Sequence, residues 1–367
     1  MAVYTTIDDP SAHFQIALYT GDAVSGKAVT NAGNSDLQPD IIWIKNRSNT
    51  HDWVYQDSTM GLGNRLTINT QDDLESSTNY VKTFTSDGFT VGTEGAVNAS
   101  SNGSYAAFQW KVQGGTRITF NESGDNPGGG RQVNADAGVA LIDYTGTGAT
   151  GTLTHGLGAI PQMILLHDRG GNHHAVYHAH MSDGPGAVPG TASCTDFQHL
   201  NENSGSADEI GYWNDTIPTS TVFTVKSNNK TNGNNRIYQA MVFTPIQGYS
   251  KFGRYTGNGN ANGAFIYTGF KPNFILIKKT TSGGEHWRLF DGTREPYNPA
   301  DKSYFTSSNQ GEADDGDSSS YLQDILCNGF KHRSGDDQSN LLDNQYIYAA
   351  FAENPFVTSK GIPTTAR

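Results

Sequence analysis

Apolar residues along the chain fall into short runs that polar turn residues separate. The runs DIIWIK from Asp40, MILLHD from Met163 and FILIKK from Phe274 are apolar at consecutive positions, which is typical of a strand covered on both faces. The run YAAFQW from Tyr105 alternates more loosely. Clusters of Gly, Asn, Asp and Ser bound the runs, and no stretch has the period of a long helix. The pattern predicts an all-β protein.

The same blocks occur three times along the chain. The triplet Tyr-Thr-Gly begins at Tyr19, Tyr144 and Tyr255. A proline and an apolar run follow each triplet, and the spacing from tyrosine to proline is 20, 17 and 17 residues. Each block closes with a phenylalanine and then a tyrosine, and these pairs are Phe89 with Tyr105, Phe223 with Tyr238 and Phe330 with Tyr348. Internal repetition of this kind predicts similar structural units in tandem.

We expect three tandem antiparallel β-sandwich domains of the lectin or jelly-roll type. The segment between the first two domains is rich in Gly and polar residues, so it is interpreted as a linker or a long excursion. The two ends are interpreted as segments that dock onto a neighbouring subunit. The expected boundaries are 14–112, 138–245 and 246–356 for the domains, 113–137 for the linker, 1–13 for the N-terminal docking segment and 357–367 for the C-terminal tail.

The stretch GTGATG, from Gly146 to Gly151, matches the dinucleotide-binding pattern G-x-G-x-x-G. That pattern needs a helix directly behind it, whose amino end faces the pyrophosphate. The following TLTHGLGAIPQM has Gly and Pro where the helix would run. The other repeats place different residues after Tyr-Thr-Gly, so we predict a glycine turn between strands.

Composition narrows the classes of function. The 367 residues include 43 Gly and only 16% charged residues, a balance typical of turn-rich β proteins. The formal net charge of -12 argues against a general affinity for nucleic acid phosphates. No window approaches the roughly 18 consecutive apolar residues of a membrane span, and the start lacks the basic and apolar pattern of a leader. We therefore expect no nucleic acid partner and no membrane insertion.

Two groups of polar residues are candidates for binding metal ions. In HDRGGNHHAVYHAH, the residues His174, His178 and His180 share one face of a strand, and imidazoles so spaced can hold zinc or nickel. The alternative is a histidine-rich strand that is exposed or faces another subunit. The acidic run GEADDGD begins with Glu312 as its first carboxylate and is a candidate for calcium at Asp314, Asp315 and Asp317, although its spacing differs from that of an EF-hand loop. Its alternative is a solvated loop.

Neither catalytic motifs nor paired carboxylates are visible. No G-x-S-x-G, H-E-x-x-H or pair of acids on one strand occurs, and the strand-like segments carry single acids such as Asp57 and Asp291. We expect no enzyme and no cofactor.

Aromatic rings can stack on sugar rings. Tyr212 and Trp213, which are flanked by turn residues, are the candidates for a glycan-binding surface. We assign Trp43, Trp53 and Trp287 to the core.

The blocks TIDDPSAHFQIALYTG, QPDIIWIKNR and SDGFTVG, together with the ending YIYAAFAENPFVTSKGIPTTAR, carry a family resemblance. They resemble the repeated domain of virion proteins of tailed bacteriophages, particularly marine ones, and the phrase YAAFAENPF is its most specific part. The resemblance covers essentially the whole chain. It implies a lectin-like sandwich and a structural, tail-fibre-like role, and it brings no catalytic residue.

On this resemblance we expect a virion structural protein at the surface of the phage particle, as a tail-associated adhesin or fibre component. Its expected partners are other virion proteins and further copies of itself in a homo-oligomer, with host surface glycans as candidate ligands. The first alternative is a capsid decoration protein on the phage head. A polysaccharide-degrading enzyme is a more distant alternative, because it would need converging carboxylates.

Overall fold

The structure, a computed structural model, describes residues 4–100, 103–181, 196–281, 283–314 and 322–364. The protein is all-β, with 43% of its residues in strands and 3% in helices, and its sheets are antiparallel. The all-β prediction is therefore confirmed. The strands of each sequence repeat form one large sheet and one small sheet.

The first repeat forms a large sheet of order β1-β9-β3-β4-β5-β6 and a small sheet of order β2-β8-β7. A single turn of 3-10 helix, Pro10–Ala12, precedes it, and the Asp9 carboxylate caps that turn by accepting the N–H of Ser11. The elements of this repeat are β1 (Phe14–Thr20), β2 (Lys27–Thr30), β3 (Ile41–Asn46), β4 (Val54–Asp57), β5 (Asn64–Thr67), β6 (Glu75–Ser76), β7 (Val81–Thr85), β8 (Gly88–Val91), α1 (Gly95–Asn98) and β9 (Ser104–Trp110).

The second repeat forms a large sheet of order β10-β11-β12-β18-β14-β15-β16 and a small sheet of β13 and β17. Its elements are β10 (Ile118–Phe120), β11 (Gly128–Asn134), β12 (Val139–Thr145), β13 (Gly151–Thr154), β14 (Met163–Asp168), β15 (Ala175–His178), β16 (Gln198–His199), α2 (Ile210–Trp213), β17 (Val222–Val225) and β18 (Ile237–Phe243).

The third repeat forms a large sheet of order β19-β27-β21-β22-β23-β24 and a small sheet of order β20-β26-β25. Its elements are β19 (Ser250–Thr256), β20 (Phe265–Tyr267), β21 (Phe270–Lys279), β22 (Arg288–Asp291), β23 (Lys302–Phe305), β24 (Ala313–Asp314), β25 (Gln323–Leu326), β26 (Gly329–His332) and β27 (Gln345–Pro355). The repeats thus share the order of five strands in the large sheet, in which β1, β12 and β19 are equivalent.

Each large sheet is buried on both faces. In the first repeat one face packs against the small sheet, so that Ile42 and Ile44 of β3 contact the cluster that contains Phe89. The other face, with Trp43 and Trp110, joins a single apolar cluster to which all three large sheets contribute. Burial on both faces explains the consecutive apolar runs, since β3, β14 and the second half of β21 have no exposed position.

The cluster shared by the large sheets lies where the three repeats meet. The residues that converge there are Trp43, Trp110, Met163, Leu165, Met241, Phe243, Phe274, Leu276, Ala349 and Phe351, and the void between them is only about 10 Å³. A void of that size holds no more than one water molecule. Each repeat therefore depends on the other two to cover one face of its large sheet.

The Tyr-Thr-Gly triplet is a structural device of the repeat. Its tyrosine stacks on a tyrosine of the neighbouring central strand, with ring centres about 5 Å apart; the pairs are Tyr19 with Tyr105 at 5.0 Å, Tyr144 with Tyr238 at 4.9 Å and Tyr255 with Tyr346 at 5.1 Å. The equivalent residue in the third repeat is therefore Tyr346 and not Tyr348, which the sequence comparison aligned. A shift of two residues keeps the same face of a strand.

A buried asparagine fixes the turn that follows each triplet. The side-chain oxygen of Asn98, Asn232 and Asn340 accepts the backbone N–H of the first residue after Tyr-Thr-Gly, at 2.8, 3.0 and 3.0 Å. The chain passes so close that a Cβ on Gly146 would lie 2.2 Å from the carbonyl oxygen of Gly233. The stretch GTGATG is accordingly the turn from β12 to β13, and a strand follows it, as predicted.

Residues 113–137 are not a free linker. They contain β10 and β11, and β11 pairs with β12 along its whole length, from Gly128 opposite Thr145 to Asn134 opposite Val139. The glycines that suggested a linker permit this pairing, because a Cβ on Gly129 would lie 2.0 Å from the carbonyl oxygen of Asp143. The second repeat therefore has two edge strands that its neighbours lack.

The two terminal segments dock onto this chain itself. Thr5 Oγ1 donates to the carbonyl of Gln247 at 3.0 Å, and Ile7 joins the shared apolar cluster. The Asp8 carboxylate accepts both the backbone N–H and the hydroxyl of Ser359, each at 2.6 Å. Residues 4–13 and 357–364 therefore have partners within the chain, and their docking onto a neighbouring subunit stays a prediction.

Candidate functional site

The three repeats meet at three equivalent joints. In each joint the ring of the residue just before β4, β15 or β22 donates a hydrogen bond to the main-chain carbonyl that ends a strand of the next repeat. The three pairs are Trp53 Nε1 to Phe305 at 2.9 Å, Trp287 Nε1 to His199 at 2.8 Å and His174 Nε2 to Thr67 at 2.7 Å. Each repeat gives one ring and receives one, so these aromatic joints close a cycle. Trp43, Trp53 and Trp287 are buried, as predicted.

His174 occupies the tryptophan position of its repeat. Because a carbonyl only accepts hydrogen bonds, Nε2 of His174 carries the proton in this joint. Burial lowers the pKa of His174 to about 4, so the ring is neutral near pH 7. A second buried ring, His167, packs against it with the ring centres 4.3 Å apart, and stacks on Tyr55 of the first repeat at 5.0 Å.

His178 occupies the position of Asp57 and Asp291, at the end of the equivalent strand. In all three repeats this side chain accepts the backbone N–H two residues later, at 3.2 Å for His178 Nδ1, 2.8 Å for Asp57 and 3.1 Å for Asp291. His178 Nε2 also donates to the carbonyl of Tyr348 in the third repeat, at 3.1 Å. Burial lowers the pKa of His178 to about 3 and raises the pKa of Asp57 to about 6.

The predicted metal ligands His174, His178 and His180 therefore do not converge. His174 and His178 lie on a side of β15 that packs against the first and third repeats, where the carbonyls of Thr67 and Tyr348 accept their Nε2 hydrogens. His180 lies in the turn after β15, and its ring centre is 5.6 Å from that of His178. The period of the strand therefore correctly grouped His174 with His178, but the partners of these two rings are carbonyl groups.

A different trio brings its ligand atoms together. The donor atoms of His173, His199 and Glu202 all lie within 4.8 Å of one another. One carboxylate oxygen of Glu202 is 3.0 Å from His173 Nδ1 and the other is 2.6 Å from His199 Nδ1. The two imidazole rings are stacked with 4.5 Å between centres and 12° between planes. Both Nδ1 atoms therefore face the same carboxylate.

Strand pairing and a neighbouring ring hold this trio in place. His199 lies opposite Ala175 in the pairing of β15 with β16, and the N–H of Glu202 donates to the carbonyl of His199 at 3.4 Å. On the far side of the His199 ring, Nε2 is 2.9 Å from the hydroxyl of Tyr212. Burial lowers the pKa of His199 to about 4 and also lowers the pKa of His173. The side chains of His173 and Glu202 are 19% and 33% exposed, so the trio is reached from solvent.

Tyr212 and Trp213 cannot form the predicted glycan surface. Each is only 1% exposed. Tyr212 stacks on Phe197 with 3.7 Å between ring centres, and Trp213 meets Tyr177 edge to face at 5.9 Å. The turn residues around them do mark a bend, but the short helix α2 turns both rings inward and leaves Ile210 exposed instead.

The acidic run divides at the limit of the described residues. Asp314 ends β24, while Asp315 and Asp317 lie outside the described residues, as does the calcium prediction that rests on them. Glu312 of the same run has a structural role. Its carboxylate accepts from Arg47 of the first repeat at 2.8 Å and from Arg294 at 3.0 Å.

Exposed aromatic rings are found beside an open cavity of about 410 Å³ at one end of the third repeat. Tyr4 and Tyr267, 51% and 53% exposed, line it together with Lys251, Gly248 and Gly269. The Lys251 ammonium lies 5.2 Å from the centre of the Tyr267 ring and donates to the carbonyl of that residue at 2.7 Å. Exposed rings beside polar groups are the chemistry that sugars require.

Sequence reasoning missed His199, Glu202 and Tyr267. His199 and Glu202 are separated from His173 by a long stretch of chain, and only the pairing of β15 with β16 brings them together. Nothing in the sequence indicated Tyr267, because its strand reads Phe-Ile-Tyr and the pattern exposed, buried, exposed is visible only in the structure.

Comparisons with known proteins add a family. A family model described as a domain of unknown function (DUF7483) matches residues 9–355. Comparison with curated proteins and with solved structures found no match. Among the described residues, no helix is both long and apolar enough to cross a membrane.

Proposed function

We propose that this chain, which belongs to the DUF7483 family, is a structural protein of a bacteriophage particle, displayed on its surface as a tail-associated fibre component or adhesin. We also propose that its paired large and small sheets are three tandem lectin-like sandwiches. The resemblance of the repeated blocks to phage virion domains supports both statements. On this proposal the partners are other virion proteins and further copies of the chain.

The observation that carries the proposal is the closed cycle of aromatic joints around a shared core. Three repeats locked in this way form a rigid body whose surfaces keep a fixed spacing. The buried titratable side chains at the joints, such as His174 and His178, have carbonyl partners. This arrangement suits a structural and binding role, in which no catalytic residue and no cofactor takes part.

The cavity beside Tyr267 is the surface to which we assign glycan binding. A shallow site of this kind binds one sugar weakly, and several copies of the chain in a homo-oligomer would sum such contacts. We expect Tyr267→Ala to weaken binding to host surface polysaccharide about tenfold, because loss of one stacked ring removes about 1 kcal/mol or more. Phe265→Ala is the matched control, since Phe265 is 46% exposed but does not line the cavity.

Copy number and position in purified virions test the role in the particle. A few copies at the tail, by quantitative protein analysis and imaging of labelled protein, are the expected result. Hundreds of copies over the head would replace the adhesin with a capsid decoration protein. Absence from virions would refute both. Release of sugar from host polysaccharide by the purified protein would instead favour the polysaccharide-degrading enzyme.

A further inference from the structure

We propose that His173, His199 and Glu202 form a binding site for Zn²⁺. Two imidazole nitrogens and a carboxylate are a ligand set that zinc takes in proteins, and three protein ligands leave a fourth position for water. Two imidazoles also select against Ca²⁺ and Mg²⁺, which prefer oxygen ligands. This site is distinct from the predicted trio of His174, His178 and His180, and it does not depend on the proposed role in the particle.

The geometry must change at two points to accept the ion. A metal bonds in the plane of an imidazole ring, and the two ring planes are nearly parallel, so the partly exposed ring of His173 has to turn toward the Nδ1 atom of His199. Zinc bonds of 2.0–2.2 Å in a tetrahedron place the ligand atoms about 3.3 Å apart. The carboxylate of Glu202 now lies 3.0 and 2.6 Å from the two Nδ1 atoms, so it must withdraw by less than about 1 Å. Its side chain is 33% exposed and has room to do so, while the pairing of β15 with β16 holds His199.

The site has the outer partner that zinc-bound histidines usually have. A histidine that binds a metal through one nitrogen commonly donates its other N–H to an oxygen, which fixes the ring. The hydroxyl of Tyr212, 2.9 Å from Nε2 of His199, is placed to accept that hydrogen. Tyr212 is itself buried and stacked on Phe197.

The other two repeats show what this corner of the fold looks like with no such trio. There the residue equivalent to His173 makes one ordinary polar contact with the following turn: Asp52 with Asn69 at 2.7 Å, and His286 with Ser307 at 2.8 Å. Strand pairing places Thr67 and Phe305 at the position of His199. The second repeat differs from the other two at His199 and at Glu202, and both residues add a candidate metal ligand at the same place.

The site borders the joint between the second and third repeats, since the carbonyl of His199 accepts from Trp287. Two lysines interact electrostatically with the trio: Lys230 with both histidines, and Lys278 of the third repeat with Glu202. Their repulsion weakens binding of a cation without changing its ligands. Bound zinc would stiffen this joint and leave the other two unaffected.

The test uses the full chain, without a histidine tag, after removal of metal by a chelator. Calorimetric titration with Zn²⁺ should give one equivalent, and Co²⁺ should give visible absorption bands of low coordination number. Glu202→Gln and His199→Thr should each remove both signals. The first change keeps the shape of the side chain, and the second installs the residue of the first repeat while preserving the main-chain carbonyl.

Two control variants, His180→Asn and His286→Asn, should keep the one equivalent. Circular dichroism of each metal-free variant confirms its fold, and Glu202→Gln decides the question if His199→Thr does not fold. Absence of Zn²⁺ binding by the unchanged protein would overturn the proposal. So would equal binding by Glu202→Gln, because the ion would then be held by histidines elsewhere.

Discussion

At three buried positions of the second repeat, histidine replaces a residue type that the first and third repeats share. His167 stands where the others have Lys45 and Lys278, because all three follow the apolar run of the third strand. His174 stands where they have tryptophan, and His178 where they have aspartate. The frame around these positions is nevertheless the same in the three repeats, down to the hydrogen bonds of the joints.

At the positions of His174 and His178 the fold keeps a hydrogen bond and changes the residue type, whereas neither ring nitrogen of His167 has a hydrogen-bond partner among the described residues. An indole or an imidazole can donate to the carbonyl that closes a joint, and a carboxylate or an imidazole nitrogen can accept the N–H that ends the strand. Imidazole is the ring whose charge changes near physiological pH. The second repeat therefore holds its neighbours with groups that acid can alter.

Loss of a tryptophan joint should have the largest effect. Trp53→Ala removes a side chain that is 0% exposed and packs on Trp43 and Tyr304, and it removes the shorter of two hydrogen bonds to the carbonyl of Phe305. We expect the free energy of unfolding to fall by about 4 kcal/mol, measured by urea denaturation. Trp53→Phe, which keeps a ring but no donor, should lose roughly half as much. A loss below about 1 kcal/mol for Trp53→Ala would show that the joint contributes little.

The next largest effect concerns an ion pair that the second repeat lacks. Arg294 is fully buried between Asp291 and Glu312, whereas the second repeat has His178 in place of the aspartate. Arg294→Leu leaves the buried carboxylate of Asp291 uncompensated, so we expect a loss of about 3 kcal/mol in urea denaturation. Arg47→Leu is the control, because Arg47 is 22% exposed on the same Glu312 and should lose at most about 1 kcal/mol. Equal losses would contradict the assigned burial effect.

Acid should weaken the molecule through the histidines of the second repeat. Their folded-state pKa values, about 4 for His174 and about 3 for His178, lie below the ordinary value of about 6.5. The unfolded chain therefore binds more protons between pH 6.5 and 4, and stability is lost as the pH falls through that window. His174→Gln keeps an N–H donor but does not titrate. In urea denaturation across this range, the free energy of unfolding of His174→Gln should fall less steeply with falling pH than that of the unchanged protein, by at most about 1.4 kcal/mol per pH unit. An equal pH dependence for the two proteins would contradict the assignment.

The smallest effect has the opposite sign and comes from the first repeat. Because burial raises the pKa of Asp57 to about 6, the folded state holds a proton there that the unfolded chain releases above about pH 3.9. Asp57 therefore gives stability at low pH that is lost as the pH rises from 3.9 to 6. Asp57→Asn should remove this contribution, so that the free energy of unfolding falls more steeply as the pH is lowered. At pH 5 the substitution should lower the free energy of unfolding by about 1 kcal/mol or less. The same denaturation series measures it.

Local patterns predicted the elements of this fold better than their partners. The consecutive apolar run at Trp43 correctly predicted a strand covered on both faces. The pattern of one strand does not identify what covers it, and here a small sheet covers one face and the two other repeats cover the second. The glycines of residues 113–137 suggested a linker, because composition alone does not distinguish a flexible segment from a strand that needs close approach.

Only part of the candidate site could be predicted from the sequence. The histidines near β15 drew attention to the right segment, and the period of the strand correctly grouped His174 with His178. The ligands that complete the trio, His199 and Glu202, come from the strand paired with β15, and pairing between distant segments is not written in either segment. Tyr212 was selected for exposure and is instead the buried partner of His199.

The cycle of joints has a consequence for synthesis of the chain. Trp53 belongs to the first repeat to leave the ribosome, yet its carbonyl partner, Phe305, lies 252 residues further on. At about 5–20 residues per second, that partner emerges roughly 13–50 s later. Through this interval the inner face of the first large sheet, with Trp43 and Trp110, lacks the cover that the third repeat gives it. The nascent protein must keep an apolar surface from unwanted partners until its last repeat arrives, so its yield in the cell is governed by chaperones and temperature as much as by its final stability.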